Sequence, residues 1–197
     1  MPTEYPPAPP WHISHWLNTP LPITLEALRG RVVVMHAFQM LCPACVAHGL
    51  PQAMRIREVF PEDAVCVVGV HTVFEHHAVM NFEALKAFVQ EYRLNFPIGI
   101  DEPGGQSAVP LTMQAYGLQG TPSLVLIDKG GRMRLNHFGR VDDLVVGAAI
   151  GQLIEEGRSR DAEFNSGNKS QSFGGTTPGQ CTDEACPASS SGGHTDV

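Results

Sequence analysis

Apolar residues along this chain fall into short continuous runs and helically spaced stripes that alternate from about residue 23 to residue 154. Val32 to Phe38 is β-branched, nearly all apolar and short, the pattern of a strand buried on both faces. Ala64 to Val70 repeats it and ends at His71-Thr72, Phe96 to Ile100 makes a third strand, and Ser123 to Asp128 a fourth. Lys129-Gly130-Gly131 then supplies a hairpin turn into Met133 to Phe138. Ile23 to Leu28 reads as one more short strand and a turn, closed by Gly30. Between the strands, a helix after Cys42 opens on Pro43, favoured in a first turn because it has no N–H to leave unpaired. Gly49-Leu50-Pro51 predicts a kink before that helix runs on through Met54, Ile56 and Val59. Phe82, Leu85, Phe88, Val89 and Tyr92 recur at helical spacing behind Asn81, a good N-cap. A Pro/Gly loop from Asp101 to Ser107 leads to a short helix, Pro110 to Tyr116, that Gly117 ends. Val141 to Ile154 closes the series as an amphipathic helix. The order βαβαβ…ββα predicts an α/β fold, a central mixed β-sheet flanked by helices on both faces.

The ends differ from this core. Residues 1–20 are Pro-rich and carry Trp11, His12, His15 and Trp16, which predicts an extended arm whose tryptophans anchor it to a domain spanning 21–157. Residues 158–197 are rich in Ser, Gly, Thr, Asn and Gln, with too little apolar surface to offset the entropy of ordering, and read as a disordered tail. From Asp161 onward the tail holds five acids and one lysine, so it carries −4 of the total charge of −7. No Lys/Arg cluster tracks a phosphate backbone, so nucleic acid is not an expected partner. The start, MPTEYPPAPPWHISHW, lacks the cationic and apolar regions of a secretory signal, and no apolar run approaches membrane-spanning length. The expectation is a cytoplasmic protein with no membrane partner, in a compartment where paired cysteines are catalytic or metal-binding more often than structural.

Cys42-Pro43-Ala44-Cys45 concentrates the chemistry. It lies where the strand ending at Phe38 gives way to a helix, and a helix start can hold two sulfurs close enough to form a small disulfide ring. The unpaired N–H groups and positive dipole end of that helix favour the thiolate of Cys42, the attacking species in disulfide exchange. In a βαβ setting the pair reads as a redox centre. Cys66 alternates into a buried strand as a small hydrophobe. Cys181 and Cys186 sit in the tail as Cys-Thr-Asp-Glu-Ala-Cys, within reach of Cys42–Cys45 on a flexible linker, as a relay, a metal-capturing pair or an unused one.

Four stretches together resemble the thioredoxin superfamily, and within it the TlpA-like and AhpC/TSA-like redoxin branch: ITLEALRGRVVVMHAF, the Cys pair, VVGVHT and YGLQGTPSLVLIDKGGRM. The resemblance covers about Ile23 to Ile154. It implies a thioredoxin-like fold and a thiol-disulfide oxidoreductase that needs no cofactor and no metal. It also implies a cis bond before Pro122 beside the disulfide, with Thr121 and Pro122, and Leu41 and Pro43 around the cysteines, meeting the substrate. Cys42 would attack a substrate disulfide and Cys45 would resolve the mixed disulfide. Departures are Leu41 where thioredoxins carry Trp, a helix proline one residue further from Cys42 (so that Ala47-His48-Gly49 holds an extra residue or a bulge), and His36 in place of a buried acid. His36 is then either the acceptor of the Cys45 proton or a core histidine satisfied by a backbone carbonyl.

The implied partners are a disulfide-containing protein or low-molecular-weight thiol, and a thioredoxin-reductase-like or other thiol electron donor, with net reduction of substrate. Two other readings compete. A peroxiredoxin-type peroxidase with antioxidant activity normally has Thr three residues before its cysteine, where Gln39 stands. A zinc or copper protein of the same fold would draw on Cys42, Cys45, Cys181 and Cys186, or on His71, His76 and His77, of which His71 ends a strand at the carboxyl edge of the sheet.

Overall fold

A computed structural model describes residues 5–169, with side chains described through Gly157. Its elements in chain order are β1 (Ile13–Leu17), β2 (Val32–Phe38), a π-helical turn (Cys45–Gly49), α1 (Leu50–Val59), β3 (Val65–His71), α2 (Phe82–Glu91), β4 (Ile98–Asp101), α3 (Leu111–Ala115), β5 (Ser123–Ile127), β6 (Met133–Phe138) and α4 (Asp143–Lys169). The strands form one mixed sheet in the order β1-β4-β3-β2-β5-β6. β2 lies at its centre, parallel to β3 and antiparallel to β5, and all seven of its residues are buried, as its run of apolar residues broken only by His36 leads one to expect.

Alternation along β2 divides the core in two. Val32, Val34 and Phe38 face Leu50, Ala53 and Ile56 of α1, Leu85 and Val89 of α2, and Val146, Ile150 and Leu153 of α4. Val33, Met35 and Ala37 face the other way, toward Met113 of α3, Tyr116, Leu25 and Leu28. Both faces carry helices, three against one. The predicted cap of α2 is present, the Ala84 N–H donating to Asn81 Oδ1 at 3.1 Å. Gly117, with φ +59°, follows α3 where a left-handed residue is needed.

Three expectations need correction. Ile23 to Leu28 holds no strand: the Leu28 N–H is taken by Leu25 C=O, the Arg29 N–H by Glu26 C=O and the Ala27 N–H by Thr24 Oγ1, so turns consume the donors a ladder would need. The arm at 1–20 is more than an anchor, because residues 13–17 form β1 on the free edge of β4. Pro7 bridges Arg132 beside the opposite edge strand, and the Ala8 N–H donates to Gly131 C=O at 2.9 Å. The arm therefore runs across the face covered by α3, from one sheet edge to the other, with Trp11 and Trp16 packed beneath it. Finally, α4 starts at Asp143 and continues to Lys169, past the expected domain end at 157. Cys181, Cys186 and the rest of the tail lie outside the described residues.

Candidate active site

The turn after β2 builds the site. Gln39 C=O accepts the Cys42 N–H at 3.1 Å, which folds the chain back at the strand end, and the helical path starts at Pro43. Cys42 occupies the N-cap position of that path. Its sulfur accepts the Cys45 N–H at 3.3 Å, as a Ser or Asp oxygen would, while its C=O accepts the Val46 N–H at 3.1 Å. The Cys42 thiol also donates to Thr121 C=O at 3.4 Å. Cys42 is half-buried and Cys45, one turn further in, is fully buried; both are free thiols. Burial, reinforced by the Cys42 side chain beside it, pushes the Cys45 thiol up to about 12. The two sulfurs are thus distinguished by position: one reachable and furnished with donor and acceptor, one withheld.

The extra residue expected around Ala47-His48-Gly49 is a π-turn, closed by the Leu50 N–H donating to Cys45 C=O five residues back. Its effect is local. Gly49 arrives against the Thr121–Pro122 loop, where the peptide bond is cis, as the resemblance implies. A Cβ on Gly49 would sit 3.2 Å from Pro122 Cβ and 3.7 Å from His36 Nδ1. The glycine read from sequence as a kink is therefore also a close-approach position.

His36 lies on the β2 face shared with Cys45, only 2% exposed, opposite Leu124 of β5. Neither ring nitrogen has a hydrogen-bond partner among the described residues, so the backbone carbonyl offered by the alternative reading is absent. No hydrogen bond links His36 to Cys45 either. Burial lowers the ring to about 4, leaving it neutral at pH 7. Beside it is a cavity of about 40 Å³ lined by His36, Gly49, Gln52, Pro122, Arg140 and Asp143, among others. A clamp stands at this cavity: Gln52 Nε2 donates to Val141 C=O at 2.8 Å and Asp143 Oδ1 at 2.7 Å, and Arg55 Nε donates to Asp143 Oδ2 at 2.9 Å. The Gln52 hydrogen bond foremost, with Arg55 alongside, holds the Asp143 carboxyl below the usual range.

Of the other expected site residues, Leu41 is 55% exposed and Pro43 exposed, flanking the reachable sulfur, while Thr121 is half-buried and Pro122 buried. His71 is drawn into the core, its Nε2 accepting the Met40 N–H at 3.4 Å and its ring tilted on Phe38 at 5.2 Å, while His76 and His77 are exposed. Among the described residues no group of three His, Cys, Asp or Glu is placed to hold a metal ion. Sequence reasoning missed Gln52, Arg55, Arg140 and Asp143. The one usable signal was Gln52, a polar residue on the α1 face that also carries Ala53 and Ile56.

No family model matches the chain. Among solved structures it is similar to a thioredoxin-like superfamily protein, with 54% sequence identity, 75% of this chain and 96% of that chain covered, and a TM-score of 0.74. It is also similar to a thiol-disulfide isomerase from Corynebacterium glutamicum, with 47% identity, the same coverage and a TM-score of 0.72. Among curated proteins it is 30% identical over 148 residues to Protein DipZ of Mycobacterium bovis, covering 74% of this chain and 20% of DipZ. It is 27% identical over 124 residues to the thiol-disulfide oxidoreductase ResA of Halalkalibacterium halodurans, covering 63% of each. The chain spans about a fifth of the length of DipZ. Two solved relatives, each matched over 96% of its own length, together with the fold and the paired thiols at the strand–helix junction, place the chain in the thioredoxin-like superfamily.

Proposed function

We propose that this protein is a thiol-disulfide oxidoreductase that exchanges disulfides with a protein or a small thiol through Cys42 and Cys45. The observation that carries the reading is the asymmetric pair: a reachable Cys42 sulfur accepting the Cys45 N–H, and a buried Cys45 behind it. Cys42, as thiolate, attacks one sulfur of a substrate disulfide, forming a mixed disulfide and expelling the other substrate sulfur, which takes up a proton. Cys45 then loses its proton and attacks Cys42; the Cys42–Cys45 bond forms and the second substrate sulfur departs. Two electrons pass from the dithiol to the substrate, and a thiol donor restores the pair. Leu41 and Pro43 flank the approach, and the Thr121–Pro122 loop lies alongside it.

His36 is the proposed acceptor of the Cys45 proton. In the free dithiol, with the ring near 4 and the thiol near 12, the proton stays on sulfur. Forming the mixed disulfide consumes the Cys42 thiol, a lesser cause of the raised Cys45 value after burial, and so favours release of the Cys45 proton at the resolving step. Net reduction in a reducing, cytoplasmic compartment is the direction and setting included in this proposal.

The test is reduction of a protein disulfide with a dithiol as electron donor. The wild-type chain turns over and Cys42→Ser does not; equal rates for the two would reject the assignment.

A further inference from the structure

Strand β6 ends the sheet and pairs with β5 alone. The N-terminal arm meets its outer edge only as far as Met133, whose N–H donates to Pro6 C=O at 2.9 Å. Among the described residues nothing pairs with the outer edge of residues 134–138, a stretch about 13 Å long at roughly 3.3 Å per residue. Beside this edge lies a groove of about 420 Å³ between β6 and α4, walled by Leu126, Leu135, Val141, Val145, Ala149 and Leu153. Its volume falls within the roughly 300–1,000 Å³ usual for binding clefts. Arg134 is the one Lys, Arg, Asp or Glu in its lining, and that charge is taken up by Glu156 at 2.6 Å and by the Tyr5 ring beneath it. Val145, in the groove wall, stays 60% exposed, so the isolated chain leaves apolar surface uncovered there.

The groove runs into the redox site. Val141 lines both the groove and the cavity beside Pro122. At the end of β6 the Gly139 N–H donates to Pro122 C=O at 2.8 Å, and the Phe138 ring lies on Gly120, where a Cβ would stand 2.8 Å from Phe138 Cε2. Between those two fastenings, Thr121 C=O accepts the Cys42 thiol at 3.4 Å. A segment lying along β6 is therefore led to Cys42 by the loop that faces the sulfur. We propose that the β6–α4 groove is a docking strip for an extended apolar segment of a disulfide-bearing polypeptide. The segment adds as a strand to the open edge of β6 and seats alternate side chains against Leu135, Val141 and Val145. The inference rests on the redox reading and narrows its substrate class to polypeptides with β-forming apolar residues a few positions from the target cysteine. Backbone pairing supplies affinity without sequence preference, and the uncharged walls select apolar side chains. A second copy of the chain fits less well. A strip about 13 Å long and a strand or two wide covers far less than the roughly 800 Å² per partner of a stable interface.

Substrate competition tests the strip. The pre-reduced full-length chain is given three uncharged disulfides: a peptide with Val-Thr-Val-Thr-Val beside its cystine bridge, the same peptide with Gly-Ser-Gly-Ser-Gly there, and hydroxyethyl disulfide. The wild-type chain should half-saturate with the apolar peptide at a concentration about tenfold below that for the Gly/Ser peptide, the scale of one buried valine-sized contact. Val145→Glu should erase that advantage, while the rate at saturation and the rates on the other two disulfides stay as in the wild type. Leu144→Glu adds the same charge one residue away, at a side chain 83% exposed and outside the groove lining, and should change none of the three. Normal reduction of hydroxyethyl disulfide by Val145→Glu shows that the variant is folded. Unchanged half-saturation in Val145→Glu overturns the docking strip, as does an equal loss in both glutamate variants. A wild-type dimer on size-exclusion chromatography that Val145→Glu splits assigns the face to a second copy and overturns it too. A wild-type chain that reduces none of the three sinks the redox reading and the strip with it; reduction of all three without preference sinks the strip alone.

Discussion

At the scale of the residue, the site works by giving two identical side chains different surroundings. Cys42 holds an N-cap position with a backbone donor on its sulfur, while Cys45 opens the π-turn and is buried. The expected consequence is that Cys45→Ser retains attack but cannot resolve, and so accumulates a covalent adduct with substrate, visible by intact mass; Cys42→Ser forms none. The two buried histidines set a second expectation. His36 and His71 fall from 6.5 to about 4 on folding because burial disfavours the charged ring. Unfolded rings protonate first, so the unfolded state binds more protons below pH 6.5 and stability drops as pH falls from 6.5 to 4. Above that window neither ring contributes a pH dependence. Each histidine accounts for about 3 kcal/mol at the acid end. Denaturant unfolding at pH 7 and pH 4.5 measures it, and His36→Gln should remove roughly half of the difference. Cys42, Cys45 and His36 were legible in the sequence because motif spacing and strand alternation locate them. The solitude of the His36 nitrogens was not, since it depends on what Gly49, Pro122 and Leu124 fail to offer across long sequence separations.

Among the elements, the turn joining β2 to α1 decides the geometry. One residue more than a regular helix would accommodate forces a five-residue hydrogen bond, and this delivers Gly49 to the cis-proline loop. The helix proline displaced by one residue made that bulge readable in advance. Its partner surface was not, because Pro122 lies on a different element. Gly49→Ala tests the fit. With its Cβ at 3.2 Å from Pro122, the loop must move by a few tenths of an ångström, an overpacking cost of about 1–2 kcal/mol. Equilibrium unfolding should register that loss, while an unchanged midpoint would mean the loop yields freely. Strand β1 escaped the sequence reading for the opposite reason: a Pro-rich approach disguises residues 13–17, whose pairing is dictated by the open edge of β4 rather than by their own pattern.

For the whole molecule, the N-terminal segment secures the sheet that positions the site. It pairs near β6, crosses the face carrying α3, with Tyr116 Oη donating to Pro9 C=O at 2.7 Å, and ends by covering β4. Deleting residues 1–17 should uncover both an edge strand and the apolar surface under Trp11 and Trp16, and the shortened chain should self-associate on size-exclusion chromatography while the intact chain does not. Strands β2 to β6 and the helices among them were readable along the chain from periodicity, whereas this strap needed the assembled sheet to give it edges to bind. All of it serves to hold two sulfurs within reach of one another, and that is measured most directly by equilibrating the full chain across a graded series of thiol redox buffers, alkylating free thiols and mapping the cysteines by mass. The account predicts a single two-electron transition in which Cys42 and Cys45 lose their labels together and are recovered as one linked peptide. Cysteines that stay labelled at every potential, or that pair with other cysteines and never with each other, would contradict it.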